Sequence, residues 1–145
     1  MYEELKLENQ ICFPLYACAK EVVRHYRPFL DEIDLTYTQY IAMMVLWDKG
    51  SVSVKELGAK LFLDSGTLTP VLKALESKGL LTRQRSKEDE RVLIVSLTDK
   101  GSALKDKAVD VPKQMGACID LTPEEAMVLY RILYKILDTF SADGK

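Results

Sequence analysis

The residues most able to do redox or ligand chemistry in this 145-residue chain are three cysteines, Cys12, Cys18 and Cys118, and one histidine, His25. They form no Cys-x-x-Cys pair and no Cys/His cluster, so neither a zinc site nor any other cofactor is expected. An odd number of thiols also argues against a disulfide framework. What remains is chemistry at a single sulfur. A thiolate attacks a peroxide oxygen and becomes a sulfenic acid, most readily in a setting that favours the anion. Cys12 stands just before Pro14, near the start of an apolar-periodic run, where a helix offers the positive end of its macrodipole. It is the candidate redox-sensing residue. Cys18 lies six residues further along the same run, about 9 Å of helical rise. A disulfide rarely tolerates Cα separations beyond about 7 Å, so Cys18 is read as core. His25 is read as a solvated helix residue.

The elements that position these groups announce themselves by capping signals. Thr36-Tyr-Thr-Gln39, Ser53-Val-Lys-Glu56 and Thr122-Pro-Glu-Glu125 each fit the capping box, in which a hydroxyl and a Glu or Gln three residues on exchange bonds with orphan N–H groups. The pattern predicts a mainly α fold. A first helix is expected from Lys6 to Leu30, bent at Pro14 and fraying at Pro28. A second should run from Thr36 to Asp48, stopped by Gly50, and a third from Ser53 to Leu61. After the short connection Phe62-Leu-Asp64, a fourth covers Ser65 to Lys78, with either Asp64 or Ser65 as its cap and an irregular start caused by Pro70. The period then changes. Leu80–Arg85 and Val92–Leu97 read as a β-hairpin around the charged turn Ser86–Arg91. A fifth helix is expected from Thr98 to Cys118 and a sixth from Pro123 to Phe140, with Ser141–Lys145 frayed.

Two short helices on a tight connection, followed by a charged hairpin, make a winged helix-turn-helix. The second helix of such a pair enters the major groove of double-stranded DNA. Ser65, Thr67 and Thr69 offer small polar groups at its start, Gly66 permits close approach, and Lys73 reaches a phosphate. Arg83, Arg85, Lys87 and Arg91 crowd onto the hairpin, where an arginine at the tip can enter the minor groove. The formal net charge of −2 confines any such surface to a local patch, because a DNA-binding domain is usually basic. No basic region precedes an apolar stretch at the N-terminus, and no apolar run spans a bilayer, so the expected location is the cytoplasm.

The segment Leu63-Asp-Ser-Gly-Thr-Leu-Thr-Pro-Val-Leu-Lys73, followed by Lys87-Glu-Asp-Glu-Arg91 and Ser96-Leu-Thr-Asp-Lys-Gly101, closely resembles the MarR family of regulators. Within that family the match is best to the organic hydroperoxide resistance regulators, and it extends from Leu7-Glu-Asn-Gln-Ile-Cys12 to the last helix. The resemblance implies a winged-helix domain over 36–98 and a helical dimerisation region over 1–35 and 99–145. It places Ser65, Thr67, Thr69 and Pro70 on the recognition helix and Asp89 and Arg91 on the wing, with the Asp orienting the Arg. It also implies that Cys12 is the reactive cysteine and that tyrosine hydroxyls from two subunits bond its thiolate. The matching positions are Tyr26 and Tyr37, with Tyr16 a third nearby tyrosine. Some relatives use a resolving cysteine from the other subunit, a role for which Cys118 is the candidate; others use small thiols.

The function expected on these grounds is a homodimeric repressor released from its operator when an organic hydroperoxide, or a similar oxidant such as hypochlorite or a quinone, oxidises Cys12. One alternative is a repressor released by a phenolic ligand in a cleft lined by Phe13, Tyr16, Tyr26 and Trp47. A second is a thiol peroxidase, an enzyme; the chain lacks the alternating strand–helix pattern of thioredoxin-like peroxidases.

Overall fold

The computed structural model describes residues 2–143, which fall into two compact units divided after Met115. In the first unit, two short 3-10 turns, Glu3–Leu5 and Leu7–Asn9, precede the helix α1, Cys12–Asp31. Cys12 is therefore the first helical residue rather than an interior one. Pro14 lies in the first turn of α1, where a missing N–H breaks no helical bond, so the expected bend there does not occur. Pro28 does not end α1 either, since the helix continues to Asp31.

The helix α2, Tyr37–Lys49, opens on a complete capping box: Gln39 N donates to Thr36 Oγ1 at 3.3 Å and Thr36 N donates to Gln39 Oε1 at 3.1 Å. It closes on Gly50 at φ 77°. The strand β1, Ser51–Ser53, then leads into α3, Val54–Leu61, capped by Ser53 Oγ, which accepts from Glu56 N at 3.0 Å. Phe62 turns the chain in the left-handed region at φ 55°. A Cβ on Gly58 would stand 2.8 Å from the Leu63 carbonyl oxygen, so the connection to α4, Ser65–Ser77, is tight because α3 presents a glycine to it. Asp64 is the cap, its Oδ1 accepting from Thr67 N at 2.7 Å. The helix runs unbroken through Pro70.

Strands β2, Leu81–Arg85, and β3, Leu93–Leu97, form the expected hairpin with Leu81 opposite Leu97 and Arg85 opposite Leu93. The sheet has a third strand that the sequence reading did not include. β1 pairs antiparallel with β3, Val52 opposite Val95, giving the order β1-β3-β2. Thr98 caps α5, Asp99–Ala108, and α6, Asp110–Gly116, follows after Val109, so the single fifth helix expected to reach Cys118 is two helices. The core gathers Leu30, Met43, Leu46, Leu57, Leu68, Leu72, Leu75, Leu81 and Val95, each worth roughly 1.5–3 kcal/mol of transfer free energy when fully buried.

The second unit is built on α7, Pro123–Asp143, opened by a full capping box between Thr122 and Glu125, with distances of 3.1 and 3.0 Å. Helix continues through Ser141–Asp143, past the expected end at Phe140; Gly144 and Lys145 of the expected frayed tail lie outside the described residues. Met127, Val128, Leu129, Tyr130, Ile132 and Phe140 are all exposed on this helix.

Candidate functional site

The sulfur that the sequence singles out stands at an open helix start. Ile11, the cap residue, supplies no side-chain bond to the first turn of α1, so the orphan N–H groups there face outward with the positive end of the helix. Cys12 is exposed. Its neighbours on the same stretch of α1 are apolar and uncovered: Ile11 is 85% exposed, and Phe13, Leu15 and Val23 are also open. Tyr16 lies four residues beyond Cys12, hence on the same helix face. Its ring is also exposed, with Lys20 Nζ 5.6 Å from the centroid.

The other two tyrosines sit elsewhere. Tyr26, from the last third of α1, and Tyr37, the first residue of α2, meet with ring centroids 4.9 Å apart. Tyr40 joins them at 5.9 and 6.3 Å and in turn meets Trp47 edge-on at 6.4 Å. Burial raises the pKa of Tyr26, Tyr37 and Tyr40 above the usual phenol value, and Tyr26 raises the other two further by repulsion. At neutral pH these groups are phenols able to donate an O–H. Tyr40 is not among the candidate site residues read from the sequence; its i,i+3 spacing from Tyr37 is the signal that places both on one face.

The geometry decides who can meet whom. Cys12 and Tyr26 lie on one uninterrupted helix, and fourteen residues of α-helix rise about 21 Å. Within one chain the thiol cannot reach that hydroxyl. The same helix keeps Cys12 and Cys18 too far apart for a disulfide, and Cys18 is exposed, not the core residue that the sequence suggests. It also sets Tyr26 about 15 Å along the axis from Tyr16, while Trp47 belongs to α2. Trp47 is occupied as well, its Nε1 donating to the Gly101 carbonyl at 2.8 Å. Cys118 is exposed and belongs to the second unit.

The second candidate surface is the start of α4 with the hairpin. Ser65, Gly66, Thr67, Pro70 and Lys73 are exposed on α4. Thr69 is half-buried and its hydroxyl donates to the Ser65 carbonyl at 2.7 Å. On the hairpin, Arg85 and Lys87 are exposed. Arg91 is 91% exposed, yet its guanidinium is directed: Nε and Nη2 donate to the two Asp89 oxygens at 3.1 and 3.3 Å, and Arg91 N donates to Oδ1 at 3.0 Å. Those bonds hold the Asp89 carboxyl below the usual carboxylate range. Arg83 departs from the sequence expectation. Its side chain is only 20% exposed, and its guanidinium is engaged by Glu76 of α4 at 2.9 Å. It is tied into the protein and is not one of the outward-facing cations.

Among the described residues, no three His, Cys, Asp or Glu side chains cluster to hold a metal, and no helix is long and apolar enough to cross a membrane.

A model of the SarA/Rot transcriptional regulators matches residues 24–108, from the end of α1 through the hairpin to α5. The organic hydroperoxide resistance transcriptional regulator of Bacillus subtilis is 46% identical over 138 residues, 95% of this chain and 94% of that protein. The regulator SarZ of Staphylococcus saprophyticus is 42% identical over 91% of this chain and 90% of its own length. Among solved structures, reduced AbfR bound to DNA superposes with a TM-score of 0.78 at 31% identity, over 95% of this chain and 96% of that one. AbfR, from Staphylococcus epidermidis, has also been solved with its disulfide formed; that structure matches with a TM-score of 0.65 at 32% identity over 93% of this chain and 95% of its own. With near full-length similarity on both sides and a regulator model spanning the winged-helix core, the chain belongs to the MarR family of transcriptional regulators, in the group of the organic hydroperoxide resistance regulators.

Proposed function

We propose that this protein is a homodimeric repressor that holds operator DNA while Cys12 is reduced and releases it when an organic hydroperoxide oxidises that residue. The observation that carries the reading is the placement of Cys12 and the Tyr26–Tyr37 pair at opposite ends of one continuous helix. Two copies of α1 running antiparallel set the thiol of each beside the tyrosines of the other. The exposed apolar residues around Cys12 then gain a partner to bury against, and the neutral phenols donate to the thiolate by charge-assisted bonds.

In the reaction, the Cys12 thiolate attacks the terminal oxygen of the hydroperoxide, the O–O bond breaks, and the alcohol departs as a sulfenic acid forms. A second thiol, from Cys118 of the other subunit or a small molecule, attacks the sulfenic sulfur and expels water to give a disulfide. The reaction is stoichiometric, with the oxidised protein as its output rather than a turnover product. Either product alters the bonds to the tyrosines and so biases a two-state dimer. Region 36–98 reads DNA: α4 lies in the major groove and Arg91 approaches the minor groove. Residues 1–35 and 99–145 set the half-site spacing, roughly 34 Å for one DNA turn.

The test is Cys12→Ser. The variant is expected to bind operator DNA as the parent does and to stay bound in cumene hydroperoxide. Release of the variant at the parent's oxidant concentration overturns the assignment.

A further inference from the structure

The sensing reading leaves open how a change at the tyrosines reaches the helix that reads DNA. One side chain joins the two. Lys78 is the residue that ends α4. Its ammonium donates to the Asp34 carbonyl, in the loop between α1 and α2, and to Gln39 Oε1 at 3.2 Å, and it lies 3.6 Å from the Asp34 carboxylate. Gln39 is nearly buried. Its side-chain oxygen is the same atom that closes the capping box of α2 by accepting from Thr36 N. The first residue inside that box is Tyr37, packed on Tyr26.

Lys78 is held from its other side too. Its carbonyl accepts from Lys100 Nζ of α5 at 2.7 Å. Thr98 Oγ1, beside it, donates to the Gly79 carbonyl at 2.6 Å. The end of α4 is thus pinned to α5 through its backbone and to the tyrosine-bearing corner through its side chain. The helix from Ser65 to Lys78 is about 20 Å long, with its proposed base-reading residues at the far end. A small shift of the α2 first turn, carried by Lys78, swings that far end.

We infer that Lys78 is the positioning residue that couples the state of the Tyr26–Tyr37 corner to the orientation of the recognition helix. The inference rests on the redox reading above, and its test separates the two. It attributes to Lys78 a coupling between two binding properties, and such couplings commonly amount to about 5–150-fold.

The experiment uses the full-length protein and a duplex selected by the reduced parent from a random library. Operator affinity is measured for reduced protein and after cumene hydroperoxide, with the extent of Cys12 oxidation read by mass spectrometry. Lys78→Met is expected to oxidise at Cys12 as fully as the parent and to bind within about threefold of it when reduced. Its ratio of oxidised to reduced Kd is expected to be at least fivefold smaller. Lys78→Arg, which keeps the donors, is expected to keep the parent's ratio. A merely structural role lowers melting temperature and both affinities together and leaves the ratio alone. A ratio in Lys78→Met equal to the parent's overturns the coupling role. A parent that oxidises fully yet shows no change in affinity overturns the redox reading, and the coupling role with it. Lys78→Gln is judged by the same ratio if the Met variant does not fold.

Discussion

Glu76 of α4 grips Arg83 of β2 twice over: its Oε2 accepts from the Arg83 backbone N–H at 3.3 Å, and its Oε1 accepts from the guanidinium at 2.9 Å from Nη2 and 3.3 Å from Nε. The carboxylate therefore fixes both where β2 begins its run into the wing and where its arginine points. Through this contact α4 and the β2–β3 hairpin are tied to one another.

That makes a prediction of sign. Glu76→Gln frees a cation beside the DNA surface. If Arg83 were a phosphate contact held in reserve, affinity would rise and its salt dependence would steepen. As a strut, its loosening is expected to lower operator affinity about three- to tenfold with the salt slope unchanged, measured by fluorescence anisotropy across a salt series.

The same contact sets a pH dependence. Arg83 holds the Glu76 carboxyl below its usual value, as Arg91 does for Asp89 and the Thr67 backbone N–H for Asp64. Groups with depressed folded-state values contribute stability that is present above the unfolded carboxyl range and is lost as pH falls through the folded values. Melting temperature is expected to drop from about pH 5 downward, and less steeply in Glu76→Gln than in the parent.

Arg91, aimed by Asp89 at the hairpin tip, is predicted to contribute one phosphate or minor-groove contact per subunit. Arg91→Ala is expected to reduce the logarithmic salt slope by about 1 per subunit engaged and leave melting temperature within about 1 °C, as exposed substitutions do. An unchanged salt slope removes Arg91 from the interface.

A mixed dimer tests the shared thiol site. Tyr26→Phe with Tyr37→Phe is expected to slow Cys12 oxidation about tenfold, the scale of losing a hydrogen bond to a charged group. Pairing that variant with a Cys12→Ser subunit leaves one site with an intact thiol facing intact tyrosines from the other chain. Fast oxidation of half the subunits is expected to return. Continued slow oxidation in the mixed dimer means the tyrosines serve their own chain's cysteine.

Gly101 sets a packing limit. A Cβ there would stand 2.1 Å from the Leu80 carbonyl oxygen, on the same residue whose carbonyl receives Trp47. Gly101→Ala is expected to cost about 3 kcal/mol, the upper range for overpacking, seen as a lowered denaturant midpoint.

What the sequence reveals of this fold follows interaction range. Thr36, Ser53 and Thr122 all cap helices because a cap is settled within four residues. The helix-turn-helix and the hairpin were legible for the same reason. β1 was not: its three residues become a strand only by pairing with Val95 and its neighbours, more than forty positions away. The break at Val109 is marked only by Pro112, which has no N–H to bond the Ala108 carbonyl and sits where a new helix tolerates it, in the first turn of α6. Pro14 misled because a proline three residues into a helix and one in its middle look alike until the start is fixed at Cys12. Of the candidate site, the residue types were readable and their grouping was not. Arg83 looked like its neighbours on the hairpin until Glu76 was seen beside it, and Lys78 carried no motif at all.

The length of α1 has a consequence for the cell. A lone subunit holds Cys12 about 21 Å from Tyr26, so on the proposed arrangement its thiol meets peroxide without those phenols and reacts about tenfold more slowly. The full rate arises only at concentrations where subunits pair. On that arrangement a repressor made in small amounts would acquire its DNA affinity and its fast oxidant response at the same threshold.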